Sequence, residues 1–178
     1  MSTTLSKSVL SKYKNDIFVE TGTLWGEAIE VAIECGFKKI YSMEIDPEKI
    51  KFNKKKFKKE IKKGTVEIIE GDTFKIFKDV ISKIDSSATF WLDAHWDGDV
   101  LGEYKCPLPF ELEALLSHPI KKHTLLIDDR RLFGVEGTTW GYTIDEDGIM
   151  ESISDINKDY KISFENGCVP NDIIVAKV

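Results

Sequence analysis

Along this chain, short apolar runs alternate with longer stretches in which apolar positions recur every three or four residues. The short runs read as strands: Ile17 to Val19, Lys39 to Glu44, Thr65 to Ile69, Ala88 to Leu92 and Thr124 to Ile127. The longer stretches read as helices. Trp25, Ala28, Ile29, Ala32 and Ile33 make one apolar stripe, stopped by Gly36, and Phe74, Phe77, Val80, Ile81 and Ile84 make another. Pro107 to His118 is a helix introduced by prolines, and Asp145 to Asn157 turns Ile149, Met150, Ile153 and Ile156 inward. Near the end, Tyr160 to Phe164 and Asp172 to Ala176 flank Asn166-Gly167, which predicts an antiparallel pair at the sheet edge. The alternation predicts an α/β fold with a seven-stranded, mainly parallel sheet. The uninterrupted run ATFWL predicts a central strand covered by helices on both faces.

Every strand of the parallel part ends near an acid: Glu20, Glu44, Asp72, Asp93 and the pair Asp128-Asp129. Ligands of open parallel sheets lie outside the carboxyl ends of the strands, so these carboxylates converge on one edge. The stretch DIFVETGTLWG, Asp16 to Gly26, couples the first strand through a glycine-punctuated turn to a helix N-terminus. Gly22 and Gly26 let that turn take positive φ and let a ligand approach. A phosphate ligand does not suit it, because Glu20 would repel a phosphate and attract an ammonium-bearing group. Neither G-x-G-x-x-G nor G-x-x-x-x-G-K-[ST] occurs in the chain.

Composition and charge narrow the class further. With 178 residues, 42% hydrophobic and 31% charged, the chain reads as one globular domain over 1–178, an N-terminal helix over 1–15 preceding a core over 16–178. Leu5, Val9 and Tyr13 stand at helical spacing in that first segment, which lacks the apolar region of a signal peptide, and no later run is long enough to span a bilayer. Cys35, Cys106 and Cys168 are few, far apart and unpaired in spacing, so neither a disulfide framework nor a zinc site is indicated. A cytoplasmic protein is expected. Asp46-Pro47 opens a lysine-rich helix over 47–63 with nine lysines from Lys49 to Lys63 against Glu60 alone; its local charge of +8 leaves −14 on the rest of the −6 chain. Such a helix can dock nucleic acid, but Ile50, Phe57 and Ile61 give it an inner face, and the absence of arginine removes bidentate phosphate recognition. A solvated outer helix is the favoured reading.

Taken together, these motifs resemble the Rossmann-like class I S-adenosylmethionine-dependent methyltransferases from Asp16 to Val178. The resemblance implies that ETGTLWG wraps the methionine part of the cofactor, with Glu20, Thr21, Gly22, Thr23 and Gly26 at the turn. It implies that Glu44 binds the ribose hydroxyls with Ile45 beside the adenine, and that Asp72 and Thr73 lie near the adenine amino group. The charge logic agrees, since the cofactor carries a sulfonium and an ammonium, and an ionised Glu44 accepts from hydroxyl donors.

FWLDAHW and LLIDD carry a narrower resemblance, to the catechol O-methyltransferase-like and macrocin O-methyltransferase-like enzymes. It implies that Asp93, Asp128 and Asp129 hold a Mg²⁺ ion, which three carboxylates with water positions suit. Asp93 and His95 are the candidate catalytic residues, His95 as general base or acceptor contact; it could equally be a metal ligand or a satisfied loop residue. The catechol enzymes use a lysine in that loop, and Lys105 is the nearest here. His118 and His123 flank the start of the fifth strand and read as structural. Trp25, Trp96 and Trp140 are candidates for an aromatic acceptor pocket, although aromatics so placed more often pack.

The function implied is Mg²⁺-assisted O-methylation of a hydroxyl on a sugar or other small molecule. The loops Ala94 to Cys106 and Arg130 to Thr143 would select the acceptor, alone or with a second subunit of a homo-oligomer. Two alternatives stand beside it. One is a non-catalytic cofactor-binding module that docks nucleic acid or protein through the lysine helix, and the other is a metal-independent N-methyltransferase.

Overall fold

The computed structural model describes residues 3–95, 101–135 and 144–178. Seven strands form one sheet: β1 Ile17–Thr21, β2 Lys39–Glu44, β3 Val66–Glu70, β4 Ala88–Leu92, β5 Thr124–Ile127, β6 Lys161–Glu165 and β7 Ile173–Lys177. Their order is β3-β2-β1-β4-β5-β7-β6, with β1 to β5 parallel and β7 antiparallel to both β5 and β6. The mainly parallel sheet with a C-terminal antiparallel hairpin is the one the pattern predicts. Strand ends differ from the sequence reading by a residue or two, because apolar period fixes which residues alternate but not where pairing stops.

Alternation across the sheet produces two cores. On one face Val19, Met43, Phe90, Leu125 and Ile127 meet three helices. These are α5 Thr73–Ile81, α6 Leu108–Ser117 and α7 Glu146–Ile156. On the other face Phe18, Ile40, Trp91, Leu126 and Val175 meet α1 Lys7–Leu10, α2 Glu27–Glu34 and α3 Pro47–Lys56. All five residues of β4 are buried, as a strand sandwiched between helical layers requires.

Two helices depart from expectation. Over residues 3–15 the first segment is not one continuous helix: α1 covers one turn, capped by the Ser6 hydroxyl accepting from the Val9 amide, and a 3-10 turn follows at Ser11–Tyr13. Asn15 is held instead by the Thr89 hydroxyl, which pulls the chain straight into β1. The lysine-rich segment is also broken, into α3 and α4 Lys58–Lys62, at Phe57. Phe57 is buried in the α2 side of the core, whereas most of the surrounding lysines are exposed. Lys49 is an exception: it is buried and pairs with Asp46 at 2.8 Å. Among the described residues no helix is long and apolar enough to cross a membrane.

Candidate functional site

The strand order reverses beside β1, whose neighbours β2 and β4 lie on opposite sides, and a cavity opens above the carboxyl ends there. Its volume is about 380 Å³, within the range of small-molecule sites. The floor is made by the β1–α2 turn. Gly22 sits at φ 82, and a Cβ there would come within 2.9 Å of the Asp93 carbonyl oxygen, so only glycine lets this turn close against the end of β4.

One end of the cavity is organised by Glu44. Its Oε1 accepts from the Ile45 and Asp46 amides, both at 2.9 Å, and its Oε2 from the Leu24 amide at 2.8 Å. A carboxylate has about four lone-pair sites, so Glu44 is locked in place with acceptor capacity left over. Asp72 stands next along the same wall. It caps α5 by accepting from the Phe74 amide at 3.1 Å and also takes the Glu103 amide at 2.8 Å. Ile45, Leu101 and Tyr104 supply apolar surface beside these acids, with the Tyr104 ring braced on Phe74 and Phe110 at 4.6 and 4.4 Å.

The other end gathers Asp93, His95, Asp128, Asp129 and Arg131. His95 lies between two carboxylates, Nδ1 3.3 Å from Asp93 and Nε2 2.6 Å from Asp129. Arg131 pairs with both Asp129 and Asp172. Burial, and then the neighbouring Asp128 charge, push Asp93 well above the ordinary carboxylate range, with His95 working against them. Its side chain still keeps 19% of its surface open towards the cavity. Burial pushes Asp128 up to about 6, opposed by the Thr4 hydroxyl, which donates to its Oδ2 at 2.5 Å. Burial alone would raise Asp129 too, but the His95 hydrogen bond and the charges of His95 and Arg131 outweigh it and hold Asp129 low.

Of the residues singled out in the sequence, the cavity brings together Gly22, Thr23, Glu44, Ile45, Asp72, Thr73, Asp93, His95, Asp128 and Asp129. Lys105 joins them. Glu20, Thr21 and Gly26 do not line it. Glu20 is fully buried beneath the turn, where Ser42 donates to its Oε1 at 2.6 Å and burial pushes its carboxyl up to about 8. It is therefore neutral at pH 7 rather than a negative wall for an ammonium. Thr21 accepts from the Asp93 amide at 3.2 Å, and Gly26 starts α2 with φ 78. Trp25 is an exposed surface residue set edge-to-face against Phe52, and Trp96 and Trp140 lie outside the described residues.

The three aspartates do not share one ligand group. Among the described residues, donor atoms of Asp93, His95 and Asp129 lie within 4.8 Å of one another, and those of Asp128, Asp129 and Asp172 form a second such group. His118 and His123 are buried at the opposite edge, 3.0 Å apart, with His118 Nε2 3.0 Å from the Ile81 carbonyl and the Ala88 amide donating to His123 at 3.1 Å. Sequence reasoning missed Thr3 and Thr4, which reach the cavity wall from the far end of the chain, and Glu111 of α6. Glu111 is buried between the Thr21 and Thr73 hydroxyls, and burial pushes it up to about 8. Its position four residues into a helix announced only packing.

No family model matches the sequence, and no curated protein matches it. Solved structures do. The S-adenosylhomocysteine-bound methyltransferase PaMTH1 of Podospora anserina aligns with 96% of this chain and 75% of its own, at TM-score 0.61 and 15% identity. An O-methyltransferase of Bacillus cereus, also bound to S-adenosylhomocysteine, aligns over 97% of this chain and 78% of its own, at TM-score 0.60 and 12% identity. An S-adenosylmethionine-dependent methyltransferase of Aquifex aeolicus covers 97% of this chain and 89% of its own, at TM-score 0.56 and 18% identity.

Proposed function

We propose that this chain, whose fold is that of the class I S-adenosylmethionine-dependent methyltransferases, methylates a hydroxyl of a sugar or other small molecule with the help of a divalent cation. The observation that carries the reading is a single cavity with two chemically distinct ends, one of fixed acceptors at Glu44 and Asp72 and one of clustered acids around His95. Glu44 would take a ribose hydroxyl with its remaining lone pair. Ile45, Leu101 and Tyr104 would sandwich the adenine, and Asp72 and Thr73 would face its edge. Gly22 and Thr23 would carry the methionine part, with Glu20, Thr21 and Gly26 supporting the turn from below. The Bacillus cereus neighbour, described as an O-methyltransferase, supports oxygen as the acceptor atom.

S-adenosylmethionine held there would supply the methyl group: the acceptor oxygen would bond to it, the carbon–sulfur bond would break to leave S-adenosylhomocysteine, and the hydroxyl proton would pass to the acidic end. Asp93 and His95, which line the cavity at that end, would face the acceptor oxygen. The imidazole either receives the proton or helps hold the cation. A divalent cation bound there would lower the hydroxyl pKa and fix the oxygen. The carboxylates of Asp93, Asp128 and Asp129 fit such an ion in charge.

Calorimetric titration of S-adenosylhomocysteine, with Mg²⁺ and then with EDTA, tests the scaffold. Binding is expected in both conditions, and absence of binding in both refutes the reading. Turnover of hydroxylated acceptors should then fall when the ion is chelated. Undiminished turnover in EDTA would remove the cation and leave methyl transfer standing.

A further inference from the structure

Strand β6 ends the sheet and pairs with β7 alone, so its outer edge is open among the described residues. Four of its five residues are exposed, Ile162 and Phe164 among them at 40% and 39%. Edge strands are commonly blunted by a proline, a bulge or a covering element. β6 contains no proline, and its register with β7 runs through all five residues without a bulge. Such an edge offers backbone donors and acceptors to another strand, and the side chains decide which strand fits.

The strand is complementary to itself. From Lys161 to Glu165 an apolar residue stands on each side of the central Ser163, and opposite charges stand beyond them. A two-fold axis through Ser163 sets β6 antiparallel to β6 of a second copy, with Ile162 opposite Phe164 and Lys161 opposite Glu165. Directly opposed residues are the ones that interact across antiparallel strands, favourably for opposite charges and for apolar pairs. The apolar row then continues that of Ala176 and Ile174, which belong to the core on that face. Within one copy Lys161 stands opposite Lys177, a like-charged pair that Glu165 of the second copy would offset from the open side. Glu165 accepts from Lys12 at 2.9 and 3.0 Å and from Tyr13 at 2.7 Å, which leaves about one lone-pair site for a further donor. Other registers lack the match. A slide of two residues sets Glu165 opposite Asp159 in one direction and Lys161 opposite Gly167 in the other, and in-register parallel pairing sets like charges side by side. We propose that β6 is a homodimer interface, in which two copies join antiparallel about Ser163 and extend one sheet across both. The strand is about 17 Å long, and so small a contact gives association in the micromolar range. This inference stands apart from the methyltransferase reading.

Sedimentation equilibrium of the full chain, from about 1 to 500 μM, reads the association directly. The wild-type mass should rise from 20.3 kDa to twice that value. Lys161→Glu and Glu165→Lys should each stay monomeric, because both ionic rows then carry like charges. An equimolar mixture of the two should regain the doubled mass, since each introduced charge meets an opposite one across the axis. Ser163→Cys, made together with Cys35→Ser and Cys168→Ser, leaves those charges alone. Its thiol faces its own copy across the axis, within disulfide reach for directly opposed strand residues, so glutathione disulfide should link two chains. The same background with Ser163 retained should stay unlinked. Circular dichroism checks that each variant is folded. Should Glu165→Lys fail to fold for want of its bonds to Lys12 and Tyr13, Lys161→Glu and the cross-link decide. A wild type that stays monomeric throughout, a Lys161→Glu that dimerises as the wild type does, a folded mixture that stays monomeric, or no cross-link at Ser163→Cys would each overturn the inference.

Discussion

Glu44→Gln tests the cofactor end of the cavity, because its cost can be worked from three hydrogen bonds. An amide retains one oxygen. Turned to keep the Ile45 and Asp46 amides, it sets its NH₂ group against the Leu24 N–H; turned the other way, it forfeits two bonds. The smaller loss is one hydrogen bond to a charged acceptor, about 1.5–3 kcal/mol of stability. Leu24 sits at φ 49, a left-handed conformation costing about 1–2 kcal/mol that this bond helps to hold, so the β1–α2 turn should loosen as well. A ribose hydroxyl would lose its ionised partner for a further 1.5–3 kcal/mol or so, which is about ten- to 150-fold in S-adenosylhomocysteine affinity. Calorimetry measures that affinity and urea denaturation the stability.

Glu20→Gln is the contrast. With its carboxyl pushed up to about 8, Glu20 is neutral at pH 7, and an amide keeps an oxygen for Ser42. Affinity should stay within about twofold of wild type, the scatter of such comparisons. Because the folded value is raised above the ordinary 4.5, the stability Glu20 contributes is complete below pH 4.5 and lost as pH rises towards 8. That loss is on the order of 5 kcal/mol, and the glutamine variant should lessen the slope of this part of the pH–stability curve, to which Glu111 contributes a like share. A folded Glu44→Gln that binds as wild type does, or a Glu20→Gln that binds far more weakly at pH 7, would refute the assignment of the two acids.

Three further outcomes are expected. Gly26→Ala should destabilise the chain by about 2–5 kcal/mol in denaturant melts, since its Cβ would meet Asn53 Oδ1 at 2.3 Å and Phe57 at 2.5 Å with φ at 78. Asp129→Ala should abolish turnover while leaving S-adenosylhomocysteine affinity within about twofold, as measured by activity assay and calorimetry; retained turnover would remove Asp129 from the chemistry. Reversing Lys54, Lys55 and Lys58 to glutamate should leave cofactor affinity unchanged within about twofold, because none of the three lines the cavity; a large loss would revive a binding role for that surface.

The strands, their mainly parallel arrangement, the C-terminal hairpin and the row of acids at one edge are all legible in the amino-acid order. Each of these is local: an apolar run of four or five residues, a turn signal, an acid next in the chain. The parity of β1 was also present in the sequence, since Glu20 shares a face with Phe18, and that face is the α2 core rather than the cavity. Which acid meets which partner is set instead by packing between distant elements. Asp128 and Asp129 are consecutive, yet Asp129 turns through φ 61 towards His95 while Asp128 meets Thr4, 124 residues away in sequence. The break at Phe57 and the burial of Glu111 have the same origin. Periodicity records which side of an element a residue takes, whereas the partners on that side come from distant elements packed against it, and burial beside them sets each carboxyl's charge.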